Sequence, residues 1–277
     1  MRWQGGRRSG NVEDRRGMGP VAVAGGGIGA LVLALIGYFV FGDPNALSGL
    51  EQAAPTEQQE GVVGSPQDEQ GAFMDTVLAS TEDVWSAEFA KVGKHYDPTR
   101  LVLYEEGTTT ACGVGQSAMG PFYCPRDRKV YLDLAFFREL DQRFGAPGDF
   151  AQAYVLAHEV GHHVQNQLGV SDEVSRAQRA AGSEAQANQY SVALELQADC
   201  YAGIWAAKSQ QAHNWLESGD VEEGLAAASA VGDDTLQKAS RGYVVPDSFT
   251  HGTSEQRMRW FMTGFKSGDP NACDTFR

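Results

Sequence analysis

The chain has 277 residues, which is enough for one sizeable domain or two small ones. Hydrophobic residues make up 42% and charged residues 21%, a balance typical of globular rather than disordered proteins. The formal net charge is −14 at pH 7, which disfavours anionic polymers as partners and excludes nucleic acid from the expected ligands.

The N-terminal region is basic and is followed by an uncharged apolar run. Residues 1–20 contain five arginines and two acids, and residues 21–41 read VAVAGGGIGALVLALIGYFVF. A helix of that length spans about 30 Å, the hydrocarbon thickness of a bilayer, so we predict one transmembrane helix. The positive-inside rule makes residues 1–20 a cytoplasmic basic tail and places the remaining chain outside the cell membrane.

Two other interpretations of residues 21–41 are a buried core helix and a cleaved signal peptide. The length of the run disfavours a core helix. A signal peptide normally has an apolar region of about 7–15 residues and a small-x-small cleavage site, and no convincing site follows this run. We therefore expect a single-pass protein whose C-terminal domain is extracytoplasmic.

Residues 42–70 predict a flexible linker, because they are rich in Gln, Glu, Gly and Pro. The folded domain is expected over residues 71–277, as a mostly helical α+β fold with a small antiparallel sheet. Apolar periodicity predicts helices over 71–92, 136–144, 148–168, about 184–209, 220–231 and 254 to about 264. Strands are predicted over 101–106 and as two short segments within 122–134. Thr253 and Gln256 predict a capping box for the last helix.

The four cysteines of the chain are Cys112, Cys124, Cys200 and Cys273. An even number in an exported domain indicates two disulfides, and four cysteines allow three pairings. We favour Cys112–Cys124 with Cys200–Cys273, which closes one short and one long loop. Four reduced, buried thiols are the alternative, and the lack of a C-x-x-C pair disfavours a cysteine zinc site.

The predicted helix over 148–168 contains AHEVGHHVQ, residues 157–165. His158 and His162 are four residues apart, so both imidazoles project from one helix face and can reach one metal ion. Glu159 lies about 100° around the helix, where a carboxylate can act as base on water without ligating the metal. The alternative is a polar helix face that binds no metal.

A catalytic zinc ion takes three protein ligands and keeps one open position. Glu195 and Asp199 are again four residues apart, in SVALELQADCYAGIWA, residues 191–206. We predict Glu195 as the third ligand and Asp199 as the acceptor for the free N–H of a ligand histidine. A solvated acidic face is the alternative, but the neighbouring residues are mostly apolar, where carboxylates need cationic partners or a metal.

The motifs HEVGHHVQ, ELQADCYAGIWA and HGTSEQR together resemble the neutral zinc metallopeptidase family of membrane-anchored bacterial proteins. More distantly, the chain is similar to gluzincin peptidases that have H-E-x-x-H and a downstream E-x-x-x-D. The likeness covers almost the whole chain. It implies a zincin-like domain, one Zn²⁺ held by His158, His162 and Glu195, and Glu159 as general base.

In gluzincins a downstream histidine, tyrosine or arginine can stabilise the oxyanion. His251 or Arg257 could donate that hydrogen bond here, and His251 is our catalytic candidate; helix-start chemistry and a surface ion pair are the alternative. His163 is expected to be structural, and His95 and His213 have no predicted role. By analogy with such peptidases, residues 130–134 are expected to form an edge strand beside the site that binds substrate in extended form.

Two functional hypotheses follow. The first is a membrane-anchored zinc endopeptidase acting on a protein or peptide substrate. The second is an extracytoplasmic binding or scaffold protein with a structural zinc. Glu159 favours the enzyme, because a structural site gains nothing from that carboxylate and usually closes its fourth position with a protein ligand.

Overall fold

The computed structural model describes residues 1–18, 60–116 and 120–276. Within these ranges the helices are α1 (Glu69–Lys91), α2 (Ala135–Phe144), α3 (Asp149–Leu168), α4 (Val170–Ala180), α5 (Glu184–His213), α6 (Asp220–Ala230), α7 (Asp233–Arg241) and α8 (Ser254–Ser267). The strands are β1 (Val12–Asp14), β2 (Val62–Gly64), β3 (Arg100–Tyr104), β4 (Gly107–Thr110), β5 (Gly113–Gln116), β6 (Phe122–Cys124) and β7 (Lys129–Asp133). Short 3₁₀ turns follow at Pro246–Ser248 and Pro270–Ala272.

The helix starts follow local chemistry that the sequence predicts in part. Thr253 and Gln256 form the predicted capping box of α8. Asp68 caps α1 by accepting a hydrogen bond from the Gly71 amide. The sequence analysis did not predict α4 and α7. Only Val174 is buried in α4, and only Asp233 in α7, so neither helix has the apolar stripe on which the prediction depended.

The main sheet has the strand order β2-β1-β3-β7-β6, and β4 and β5 form a separate antiparallel hairpin. The prediction of an antiparallel sheet is wrong in this respect, because β1–β3 and β3–β7 are parallel. The centres of β3 and β7 are buried, as is usual for parallel strands in the middle of a sheet. The prediction of an edge strand at residues 130–134 is wrong too, since β7 lies between β3 and β6.

Residues 12–14 of the basic N-terminal region form a strand of the main sheet. β1 pairs with β2 on one side and with β3 on the other. Arg8 Nε lies 2.8 Å from Oδ2 of Asp75, which is fully buried on α1. The pairing of β1 with β3 places residues 12–14 and 101–103 in one sheet.

The predicted transmembrane helix over 21–41 lies outside the described residues. Among the helices of the described ranges, none is long and apolar enough to cross a bilayer. The predicted linker, 42–70, is described from residue 60 onward, where it contributes β2 and the start of α1.

Helices α3, α5 and α8 pack closely at the centre of the domain. A Cβ atom at Gly161 of α3 would lie 3.1 Å from the Ala198 carbonyl oxygen of α5, so the missing side chain lets these helices approach. Gly203 of α5 and Gly264 of α8 likewise face the opposing backbone, at Phe261 and at Cys200. Both favoured disulfides are present, Cys112–Cys124 and Cys200–Cys273.

Candidate metal centre

Two helices bring together three side chains that could ligate a metal ion. His158 and His162 project from α3, and Glu195 projects from the facing side of α5. Nε2 of His158 is 3.1 Å from Glu195 Oε2, and Nε2 of His162 is 3.3 Å from Glu195 Oε1. The three ligand atoms all lie within 4.8 Å of one another, so one ion can contact all three. Two imidazole nitrogens and one carboxylate are a donor set of catalytic zinc sites, so these residues fit the predicted ion.

Asp199 holds the His158 ring from behind. Its side chain is fully buried, and Oδ1 lies 2.9 Å from Nδ1 of His158. Oδ1 also accepts a hydrogen bond from the Tyr154 hydroxyl, and Arg257 binds both carboxylate oxygens. Asp199 is therefore an acceptor for the Nδ1 hydrogen of His158, and this tautomer leaves Nε2 free to face Glu195.

His162 has a partner that the sequence analysis did not identify. Its Nδ1 lies 2.9 Å from Oε1 of Gln165, the last residue of the AHEVGHHVQ stretch. Gln165 is three residues farther along α3, so the spacing to His162 could have indicated contact. Nothing in the sequence shows that this glutamine is buried and held by α5.

The ionisation of the cluster follows from these contacts. Burial disfavours the imidazolium of His158, but Asp199 and Glu195 outweigh burial and raise its pKa to about 10. Burial acts in the same way on His162, and Glu195 likewise raises its pKa. Against the cost of its own burial, the two histidines hold the pKa of Glu195 well below its usual range. Without a metal ion, the ring nitrogens of both histidines thus tend to stay protonated. A metal ion that binds there would have to displace these protons.

Glu159 lies beside the candidate ligands with only 7% of its surface exposed. Across the part of the chain that the structure describes, its carboxylate makes no hydrogen bond or ion pair with another residue. Its negative charge is close enough to raise the pKa of His162. A nearly buried carboxylate with no protein partner is free to bind a water molecule at the centre.

The two candidates for oxyanion stabilisation occupy different positions. Arg257 is 3% exposed and is committed to Asp199, with Nε 2.8 Å from Oδ2. The side chain of His251 is 49% exposed, and its Nδ1 lies 3.2 Å from Asp233 Oδ1. Burial lowers the pKa of His251, but Asp233 and nearby Glu195 raise it overall. Of the two, His251 is the one that faces solvent close to the centre.

The remaining histidines lie away from the ligand atoms. His163 is buried, with Nδ1 3.0 Å from the Tyr123 hydroxyl and Nε2 2.7 Å from the Asp97 carbonyl oxygen. His95 and His213 are exposed.

A cavity of about 440 Å³ lies between α5 and residues 246–256. Its lining includes neither Glu159 nor the three residues of the candidate ligand group. Val192 and Leu196, which flank Glu195 on α5, form one wall. Phe249 and Gly252 form part of the other wall, next to His251. The lining is mostly apolar. Most of its residues come from α5, which carries Glu195, and from the segment 246–256, which carries His251.

The chain is similar in sequence to proteins of Escherichia coli and Mycobacterium tuberculosis. It is 50% identical over 289 aligned residues to "Uncharacterized protein YpfJ" of Escherichia coli (strain K12), with 100% of this chain and 99% of the relative covered. It is 44% identical over 192 residues to "Uncharacterized protein Rv2575" of Mycobacterium tuberculosis (strain H37Rv), covering 65% of this chain and 63% of that protein. No solved structure matches the chain.

One family model spans nearly the whole sequence, from residue 1 to residue 276. Its description is "Putative neutral zinc metallopeptidase", and the His158, His162 and Glu195 cluster provides a matching candidate ligand group. The chain belongs to this neutral zinc metallopeptidase family.

Proposed function

We propose that the protein is a zinc-dependent endopeptidase that hydrolyses peptide bonds in protein or peptide substrates. The observation that carries the proposal is the convergence of His158, His162 and Glu195, with the unpaired carboxylate of Glu159 beside them. Three protein ligands leave a position open for water and substrate.

The roles of the side chains follow from their positions. A zinc ion held by the three ligands would polarise the peptide carbonyl and make a water molecule acidic enough to react near neutral pH. Glu159 accepts the proton of the attacking water and delivers it to the nitrogen of the leaving amine. His251 donates a hydrogen bond to the oxygen of the attacked carbonyl as negative charge develops there.

Substrate binding is supported by an edge strand beside α3. Within the described residues β6 pairs only with β7, and its other side carries backbone groups suited to an added strand. Tyr123 of β6 contacts His163 and Asn166 of α3, which fixes this strand against the helix that carries two of the ligands. We propose that an extended peptide pairs with β6 and places one side chain in the cavity between α5 and residues 246–256.

The second hypothesis, a scaffold with a structural zinc, is less well supported. A structural zinc site normally has four protein ligands. Among the described residues the candidate group contains three, and the neighbouring carboxylate of Asp199 is already engaged by Tyr154 and Arg257. Glu159 also has no evident purpose in a structural site.

The proposal is tested by removing and restoring the metal. The full chain is treated with a chelator, dialysed, and given one equivalent of Zn²⁺, with cleavage of an unfolded protein followed throughout. We expect chelation to abolish cleavage and one equivalent to restore it, whereas a Glu195→Gln variant should bind zinc more weakly. Cleavage that persists without metal would contradict the proposal, as would tight zinc binding without any cleavage.

A further inference from the structure

The second nitrogen of His162 is engaged by a buried amide. Nδ1 of His162 lies 2.9 Å from Oε1 of Gln165, and Gln165 is fully buried. Metal-ligating histidines usually need such a partner, because it fixes both the tautomer and the orientation of the ring. His158 has Asp199 in this role, so the two histidines are held by different residues from different helices.

The surroundings of Gln165 determine which end of its amide faces the histidine. Its Nε2 donates to the Leu194 carbonyl oxygen at 2.7 Å and to Gln197 Oε1 at 3.1 Å. Both amide hydrogens are therefore committed to α5, and only Oε1 is left to face His162. As an acceptor, it requires the hydrogen on Nδ1 and leaves the lone pair of Nε2 for a metal.

Gln165 also links the two ligand-bearing helices. Leu194 directly precedes Glu195, so one amide contacts both a histidine ligand of α3 and the backbone next to the third ligand on α5. A single buried side chain thereby constrains the spacing between His162 and Glu195.

The hydrogen bonds that start at Gln165 extend through Gln197 to the C-terminal segment. Gln197 is 7% exposed, and its Nε2 donates to the Cys273 carbonyl oxygen at 3.1 Å. Cys273 is joined by a disulfide to Cys200 of α5. The far end of the chain is thus fixed against the residue that holds Gln165.

We propose that Gln165 is the positioning residue of His162 for zinc, and that Gln197 and the disulfide-bonded C-terminal segment hold Gln165 in place. The inference rests on the proposed zinc site. It predicts that the affinity for zinc depends on two buried glutamines, neither of which ligates the ion.

The test compares three near-isosteric variants of the full chain: Gln165→Met, Gln197→Met and, as a matched control, Gln167→Met. Gln167 is on the same helix but bonds to the Asp97 carbonyl oxygen and to His163. Zinc dissociation constants are measured by competition with a chromophoric chelator. The absorption spectrum with Co²⁺ and the melting temperature of the metal-free protein are recorded alongside.

We expect Gln165→Met to weaken zinc binding by about 10- to 100-fold and to change the Co²⁺ spectrum. Gln197→Met should cause a smaller loss, and Gln167→Met should match the wild type. An unchanged zinc affinity in Gln165→Met would overturn the positioning role, even if the metal-free protein melted at a lower temperature. An unchanged affinity in Gln197→Met would overturn the second link. A wild type that binds no zinc would instead contradict the proposed function.

Discussion

Arg257 binds Asp199 with two nitrogens of its guanidinium, with Nε 2.8 Å from Oδ2 and Nη2 2.9 Å from Oδ1. Both side chains are buried, and Asp199 in turn holds the His158 ring. Against burial, which raises it, Arg257 and His158 lower the pKa of Asp199 to about 2, so the carboxylate stays charged. Arg257 thus supports the candidate metal centre through Asp199.

Replacing Arg257 by Met would leave Asp199 buried without its main cationic partner. Breaking one side of a buried ion pair costs about 3–5 kcal/mol, so we expect the free energy of unfolding of the metal-free protein to fall by that amount. Urea unfolding of Arg257→Met and of the wild type measures the difference. A loss below about 1 kcal/mol, the value typical of an exposed pair, would contradict this account.

Zinc binding should strengthen as the pH rises. The pKa of His158 in the metal-free protein is raised from 6.5 to about 10, so below pH 10 a zinc ion must displace its proton. The apparent affinity should then increase about tenfold per pH unit for each proton displaced. Titration calorimetry between pH 6 and 8, in buffers of different ionisation enthalpy, measures both the zinc affinity and the number of protons released. An affinity independent of pH, with no proton released, would contradict the prediction.

The raised pKa of His158 has the opposite effect on the stability of the metal-free protein, which should fall as the pH rises. A histidine whose folded pKa exceeds its unfolded value stabilises the fold fully below pH 6.5 and loses that contribution as the pH approaches 10. Stability of the metal-free chain should therefore decline across this window, while zinc affinity rises.

The cavity between α5 and residues 246–256 provides a test of substrate binding. Val192→Trp would fill part of the space between α5 and Phe249, in a cavity that no residue of the candidate ligand group lines. A hydrophobic pocket that no longer admits one apolar group of a substrate loses roughly tenfold or more in binding that substrate. KM for peptides with large apolar residues should therefore rise by about that factor. Zinc affinity should remain that of the wild type. Unchanged kinetics with every peptide would show that substrates do not use the cavity.

The strand pairing predicts that the N-terminal residues and the metal centre lie in one compartment. Two cysteine variants of the full chain, Gln4→Cys and His95→Cys, place a label at exposed positions of the two parts. A membrane-impermeant maleimide applied to intact cells should label both or neither. Labelling of one position alone, with the other reached only after permeabilisation, would contradict the β1–β3 pairing and favour the single-span topology.

Local spacing explains why much of the site could be predicted from sequence. Residues four apart on a helix share a face, so His158 with His162, and Glu195 with Asp199, are recognisable without knowing the fold. That both pairs meet at one point depends on the close approach at Gly161 and Ala198, which only the structure shows.

The contacts that the sequence could not reveal join distant residues. Gln165 faces His162 locally, but its burial depends on Leu194 and Gln197. The arginines of the first 18 residues resemble a basic tail by composition. Two of these arginines, Arg7 and Arg8, pair with Glu82 and Asp75 of α1, which lie far along the chain. Nothing in the local sequence therefore predicted that this segment packs against the domain.

The most direct test of the central claim is the rate at which the zinc-loaded full chain cleaves an unfolded protein, compared with its Glu159→Gln variant. The variant keeps all three predicted ligands, and equal zinc content in the two samples would verify this. Loss of the general base should lower the rate by about 10²- to 10⁴-fold. A variant that cleaves as fast as the wild type while holding one zinc ion would contradict the assignment of Glu159.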